Sequence, residues 1–180
     1  MEAIKMITER RSVRKYKQEK VARETINNIL EASRWAPSWA NFQIARYTIV
    51  EDEAVIKRIA DEGVHGFSYN IATLQNTKGL VVLSFIQGKS GKLGDTDSAT
   101  DKGSKWEMFD AGIACQTFCL AAHEYGVGTC IFGVIDDKAI SEIVSLPEGE
   151  TVAAIITFGY PDEEPKATFR RPIEKISRYI

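Results

Sequence analysis

Apolar residues along the chain repeat with two different periods, and those periods set the expected elements. Ala3, Ile4, Met6 and Ile7 form a stripe at helical spacing ahead of Arg10, so a short helix opens the chain. Ile26, Ile29, Leu30 and Ser33 keep that spacing until Pro37, whose missing N–H and ring clash end a second helix at about Trp35. A loop over 37–43 leads into a β-rich stretch, 47–50. Val55, Ile56, Ile59 and Ala60 then mark a helix that Gly63 is expected to close in a left-handed cap. The stretch 64–78 shows no clear period.

Residues 80–86 are a continuous apolar, β-branched run, which reads as a strand buried on both faces. After it, 87–105 is rich in Gly, Asp, Lys and Ser without any apolar period, and is expected to be an exposed loop. From Asp110 to Tyr125 the chain is apolar nearly all round, so this helix belongs in the middle of the fold, with Gly126 ending it. A short strand (129–134), a helix capped by Asp136 and a second buried strand (152–158) follow. The tail, 160–180, carries Phe169, Ile173, Ile176 and Tyr179 at its far end, enough to dock on something. Helices and strands are mixed, so the class is α/β or α+β.

Composition narrows the function. At 180 residues one domain, 1–180, is expected, and 44% hydrophobic with 27% charged residues is an ordinary globular balance. The net charge of -2 argues against a general nucleic-acid surface, and no apolar stretch approaches the ~20 residues of a membrane span. Three cysteines, an odd count, favour reduced thiols and a cytoplasmic setting.

Charge is not spread evenly. Arg10, Arg11, Arg14, Lys15 and Lys17 crowd into eight residues without an acid, and taking those five charges from the net of -2 leaves the rest of the chain at -7. A lone basic cluster on an acidic body suits a small phosphorylated ligand, because guanidinium forks match phosphate oxygens, and Ser12 can complete such a cradle. A solvated helix end is the competing account. Arg170-Arg171-Pro172 is a second basic pair that either converges on the same phosphate or lies on the surface. Ala36 to Gln43 offers a hydroxyl and two amides among aromatics, groups able to read the edge of a heteroaromatic ring, although such a segment also serves as a plain connector.

Other motifs fail on spacing. Gly88-Lys89-Ser90 lacks the first glycine of a phosphate-binding P-loop, since Leu83 stands there. Cys115, Cys119 and His123 share a helical face, but a rise of ~1.5 Å per residue spreads the outer two about 12 Å apart, too far for one zinc. Two histidines without nucleophile-elbow glycines do not support a hydrolase triad, and no G-x-G-x-x-G fingerprint occurs.

Taken together, Arg10-Arg11-Ser12-Val13-Arg14, the Pro37 to Gln43 loop, Trp106 to Gly112 leading to Tyr125 to Gly133, and Arg170-Arg171-Pro172-Ile173-Glu174 resemble the nitroreductase family of flavoenzymes in order and spacing. The resemblance implies an α+β fold with a central, mainly antiparallel sheet flanked by helices. It also implies an interlocked homodimer with exchanged terminal arms, and FMN at each interface site. Arg10, Ser12 and Arg14 then match phosphate and ribityl contacts, with Arg11 adding backbone or charge, and Arg170 and Arg171 match a C-terminal pair reaching the same phosphate. Pro37, Ser38 and Asn41 match a loop that touches the isoalloxazine ring from the opposite subunit, while Ile131, Phe132 and Gly133 match a strand end beside the flavin. Asn70 matches a polar ring contact loosely. Trp39 stands where a small residue is usual and is expected to narrow the pocket over the flavin. Ile44-Ala45 replaces the usual Pro-Trp.

The activity so implied is an FMN-dependent NAD(P)H oxidoreductase. NADH or NADPH gives hydride to the flavin, and a nitroaromatic, quinone or similar electron-poor acceptor takes the electrons in ping-pong order. No protein acid or base is required. The alternatives are a flavin-binding protein that stores or senses FMN, and a protein that uses the same arginines for another phosphorylated metabolite.

Overall fold

The computed structural model describes residues 2–66, 68–94 and 98–180. Its sheet is built from β1 (Ala45–Val50), β2 (Gly79–Ile86), β3 (Gly128–Phe132) and β4 (Glu150–Gly159) in the order β1-β2-β4-β3, every neighbouring pair antiparallel. The central pair, β2 and β4, are the two runs that read as buried on both faces. Alternation explains how. Val81 and Leu83 of β2 enter one core with Ile26, Ile29, Phe118 and Ile156, whereas Leu80 and Val82 enter another with Ile56, Ile59, Leu74 and Ile155.

Helices cover both faces. α2 (Arg23–Ser33) and α5 (Lys105–Glu124) supply the first core; α3 (Glu53–Glu62), α4 (Ser68–Asn76) and α6 (Asp137–Ile143) supply the second, and α1 (Ala3–Glu9) packs on α5. α5 touches β1, β2 and β3 as well as α1 and α2, which gives its all-round apolar character a reason. No helix among the described residues is long and apolar enough to cross a membrane.

Several local expectations change. Gly63 ends α3 at φ -100°, not in a left-handed cap; glycine is needed because a Cβ there would lie 2.7 Å from Cγ1 of Ile140 on α6. Gly126, at φ +72°, does end α5 in the left-handed region, and Asp136 caps α6 by accepting from the Ala139 N–H at 2.9 Å. α2 stops at Ser33, two residues before Trp35, and Ser33 satisfies its buried hydroxyl on the Ile29 carbonyl at 2.6 Å. α5 begins at Lys105, five residues ahead of Asp110, and the unassigned stretch 64–78 holds α4. The loop 87–105 is only partly exposed: Ser90 and Gly91 are buried, and positions 95–97 lie outside the described residues.

Candidate functional site

The basic segment is threaded along the outer edge of β3. The Val13 N–H donates to the Thr129 carbonyl at 2.9 Å, and Ser12 bridges Thr129 in parallel. Two glycines allow this approach: a Cβ on Gly128 would meet Val13 Cγ2 at 2.7 Å, and one on Gly159 would meet Tyr16 Cδ1 at 2.9 Å. Tyr16 is 1% exposed, donates to the Val13 carbonyl at 2.5 Å and shares a bond with Thr157 Oγ1 at 2.8 Å. Burial pushes its phenol far above the usual range, so it stays protonated and can donate.

A second clamp comes from beyond β4. Glu163 Oε1 accepts from the Arg14 and Lys15 N–H groups at 2.6 and 3.1 Å, the Asp162 N–H donates to the Lys15 carbonyl at 2.9 Å, and the Lys17 N–H to the Tyr160 carbonyl at 2.9 Å. With its backbone held this way, the segment directs Arg10, Arg11, Ser12 and Arg14 into a pocket of about 250 Å3 that Pro165, Lys166, Thr168 and Arg170 close from the other end of the chain. The two sequence-distant basic clusters therefore do converge, through Arg170; Arg171 lies outside the lining.

This pocket is electrostatically unfinished. Arg11 donates to the Thr8 and Arg10 carbonyls, Arg170 to those of Thr168 and Phe169, and Arg14 lies 5.7 Å over the Tyr69 ring. Among the described residues none of Arg10, Arg11, Arg14, Lys166 and Arg170 is ion-paired with a carboxylate. Arg10 Nε is buried with no hydrogen-bond partner, a donor the protein itself leaves unsatisfied. Nearby His123 also has a buried, unpartnered Nε2, and its pKa is lowered by burial and then by the charge of Arg10. The residues fit a phosphomonoester. A pocket of this size is below the ~300 Å3 at which whole-ligand sites begin, so it suits the charged end of a longer molecule.

The other candidates lie elsewhere. Pro37 and Ser38 line a separate cavity of about 310 Å3 with Leu30, Arg46, Tyr47 and Asp110. Burial lifts the Tyr47 phenol to about 12. The neighbouring Trp39–Asn41 turn is left-handed at Ala40 and Asn41, and Gln43 follows suit; the Ser38 hydroxyl accepts from the Gln43 N–H at 2.8 Å. On β3, Ile131 is 46% exposed, the Phe132 side chain is in the core and can offer only its backbone, and a Cβ on Gly133 would meet open space. Asn70 sits in the first turn of α4 beside Tyr69.

Sequence reasoning assigned no role to Glu107, Asp110, Glu163 or Lys166. The first two carry a signal, two acids one turn apart on an otherwise apolar helix. Both are buried, Glu107 at 6% and Asp110 at 3% exposure. Glu107 accepts from the Gly88 and Lys89 N–H groups at 2.5 and 3.2 Å, and Asp110 from the Trp39 N–H and the Ser90 hydroxyl. Glu163 and Lys166 have no such signal, because their partners lie about 150 residues away.

A model of the Nitroreductase family matches residues 7–160. Over 171 residues the chain is 29% identical to an Archaeoglobus fulgidus protein with the provisional name NADH dehydrogenase/NAD(P)H nitroreductase, covering 91% of this chain and 87% of that one. It is 26% identical to a Bacillus subtilis FMN reductase [NAD(P)H], over 98% of this chain and 72% of the other. The solved structure of an FMN-dependent nitroreductase from Clostridium difficile superposes with a TM-score of 0.73 at 28% identity, covering 92% of this chain and 91% of that one.

Proposed function

The chain belongs to the nitroreductase family, and on that premise we propose that it is an FMN-dependent NAD(P)H oxidoreductase acting on nitroaromatics, quinones or similar electron-poor acceptors. The observation that carries this reading is the cradle of unpaired cations that both ends of the chain build around one phosphate-sized pocket. Bound FMN supplies two-electron chemistry between a nicotinamide donor and the acceptor. The protein's part is to hold and orient. Arg10, Arg11, Arg14, Lys166 and Arg170 neutralise the phosphate, Arg10 through an Nε already desolvated, and the Ser12 hydroxyl adds a neutral donor. Ile131, with the backbone of Phe132 and Gly133, offers an apolar rail along β3, and Asn70 an amide.

Pro37 and Ser38 line another cavity and Asn41 follows in the same loop, so in this reading all three serve the ring bound by a second copy of the chain. The homodimer is supported by the exposed Met108 and Phe109 with half-buried Ile113 on α5, and by Phe169, Ile173, Ile176 and Tyr179 in the tail, whose side chains stay largely exposed on their own chain. Three free, buried thiols support a reducing, cytoplasmic setting.

The experiment is direct. Purified protein is expected to be yellow, to release FMN identifiable by mass spectrometry, and to oxidise NADH or NADPH when a quinone is supplied. A yellow protein without turnover would point to FMN storage or sensing, and a colourless protein that takes up no added FMN would overturn the reading.

A further inference from the structure

The buried carboxylate of Asp110 ties two loops together. Both of its oxygens accept from the Trp39 N–H, at 3.1 and 3.0 Å, and Oδ2 also accepts from the Ser90 hydroxyl at 2.5 Å. The loop held through Trp39 needs holding, because Ala40, Asn41 and Gln43 sit at φ 45°, 57° and 50°, a region that side-chain-bearing residues enter only at a cost. The same anchorage fixes an indole. Trp39 Nε1 donates to the Lys92 carbonyl at 2.8 Å, and its ring centroid lies 4.9 Å from that of Trp106, which is itself 5.0 Å from Phe109, edge-on. Three rings from one loop and one helix make a single aromatic wall beside the Pro37–Asn41 segment.

We propose that Asp110 is a positioning residue for acceptor selection, holding Trp39 against Trp106 so that the wall favours flat, electron-poor rings over acceptors that cannot stack. The proposal rests on the reading above, in which the 37–43 loop faces the flavin of a second subunit. Electron-poor rings stack on electron-rich indoles, and an indole already fixed loses no rotamer freedom when a ring arrives. The part of Asp110 is to accept from one backbone amide and one hydroxyl.

The test compares Asp110→Ala, Asp110→Asn and Trp39→Leu in FMN-loaded protein. Each is assayed with a flat naphthoquinone and with ferricyanide, an octahedral ion that cannot stack. Asparagine keeps an oxygen for the Trp39 N–H and can donate to Ser90, so it restores what alanine removes. In Asp110→Ala the ratio of kcat/KM for the quinone to that for ferricyanide is expected to fall about tenfold, carried by the quinone KM, and to recover in Asp110→Asn. Trp39→Leu, which keeps the amide and the carboxylate, is expected to lower the same ratio and carries the test should Asp110→Ala not fold. An unchanged ratio in Trp39→Leu, or equal losses with both acceptors in Asp110→Ala, overturns the proposal. Two readouts need no flavin: amide exchange at Trp39 and the near-ultraviolet circular dichroism of the Trp39–Trp106 pair. Faster exchange and a lost signal in Asp110→Ala, reversed in Asp110→Asn, are expected. A protein that shows both changes but binds no FMN would refute the proposed function and leave the positioning role standing; a protein that shows neither refutes the role.

Discussion

The basic pocket and the acid-held loops treat charge in opposite ways. Around Glu107 and Asp110 every carboxylate meets backbone N–H or hydroxyl donors from its own chain, so the charge is satisfied internally and serves as a staple. Along the cationic segment the backbone of Val13, Arg14, Lys15 and Lys17 is bonded to Thr129, Glu163 and Tyr160, while the pocket that Arg10, Arg14 and Arg170 line holds no acid. A buried charge with its partners supplied stabilises a shape. Cations gathered without an acid attract an anion, which in the proposed function is the phosphate of FMN.

The contrast can be broken most forcefully at the pocket. Arg14→Ala combined with Arg170→Ala should weaken FMN binding by roughly two orders of magnitude, at ~1.5–3 kcal/mol per charge-assisted bond and less than full additivity on a shared phosphate. Fluorescence titration measures the loss, and the melting temperature should hold or rise as like charges are removed. Glu107→Ala should do the reverse. Leaving the Gly88 and Lys89 N–H groups unmatched costs about 2 kcal/mol of stability in denaturant titration, with FMN affinity unchanged in the folded fraction. Glu163→Gln sits between the two regions, since this acid staples the backbone of the cationic segment; FMN affinity should drop by about 1 kcal/mol as the Arg14 backbone loosens. The smallest effect concerns His123. Its folded pKa lies below the ordinary 6.5, so the unfolded chain binds the proton more readily and stability falls as pH drops below 6.5. Melting curves from pH 7.5 to 5.5 should show this slope, and His123→Asn should flatten it. Glu53 and Asp136, whose carboxyls are held low by Lys78 and by the Ala139 N–H respectively, contribute only at more acidic pH.

Elements were legible where burial is continuous. β2 and β4 carry long apolar runs because the two cores press on them from both sides, and α5 is apolar nearly all round because three strands and two helices pack on it; a period or its absence is what such pressure leaves in a sequence. The start of α5 was less visible for a physical reason. Ser104-Lys105-Trp106-Glu107 has the spacing of a capping box, yet Ser104 makes no cap bond and Glu107 turns to Gly88 and Lys89. Likewise Gly63 does cap α3, but what calls for glycine there is the close approach of Ile140 and not a left-handed conformation. In the site, the charge of Arg10 to Lys17 was plain, and Arg170 was matched to the same phosphate. The clamp that aims these groups was not, because Glu163, Asn76 and Thr157 show no pattern relating them to Arg14 and Tyr16. The positive φ of Ala40 was equally hidden, since alanine announces no left-handed preference.

The pairing of Lys15 and Lys17 with Asp162 and Tyr160 fixes the order in which the basic pocket can form. During synthesis the arginines near the amino terminus leave the ribosome first, but the strand edge, the acid that orients them and the closing Arg170 all emerge much later. Until those later segments are made the cationic segment has nothing to lie against, so the pocket takes shape only after residues 128–170 have been synthesised.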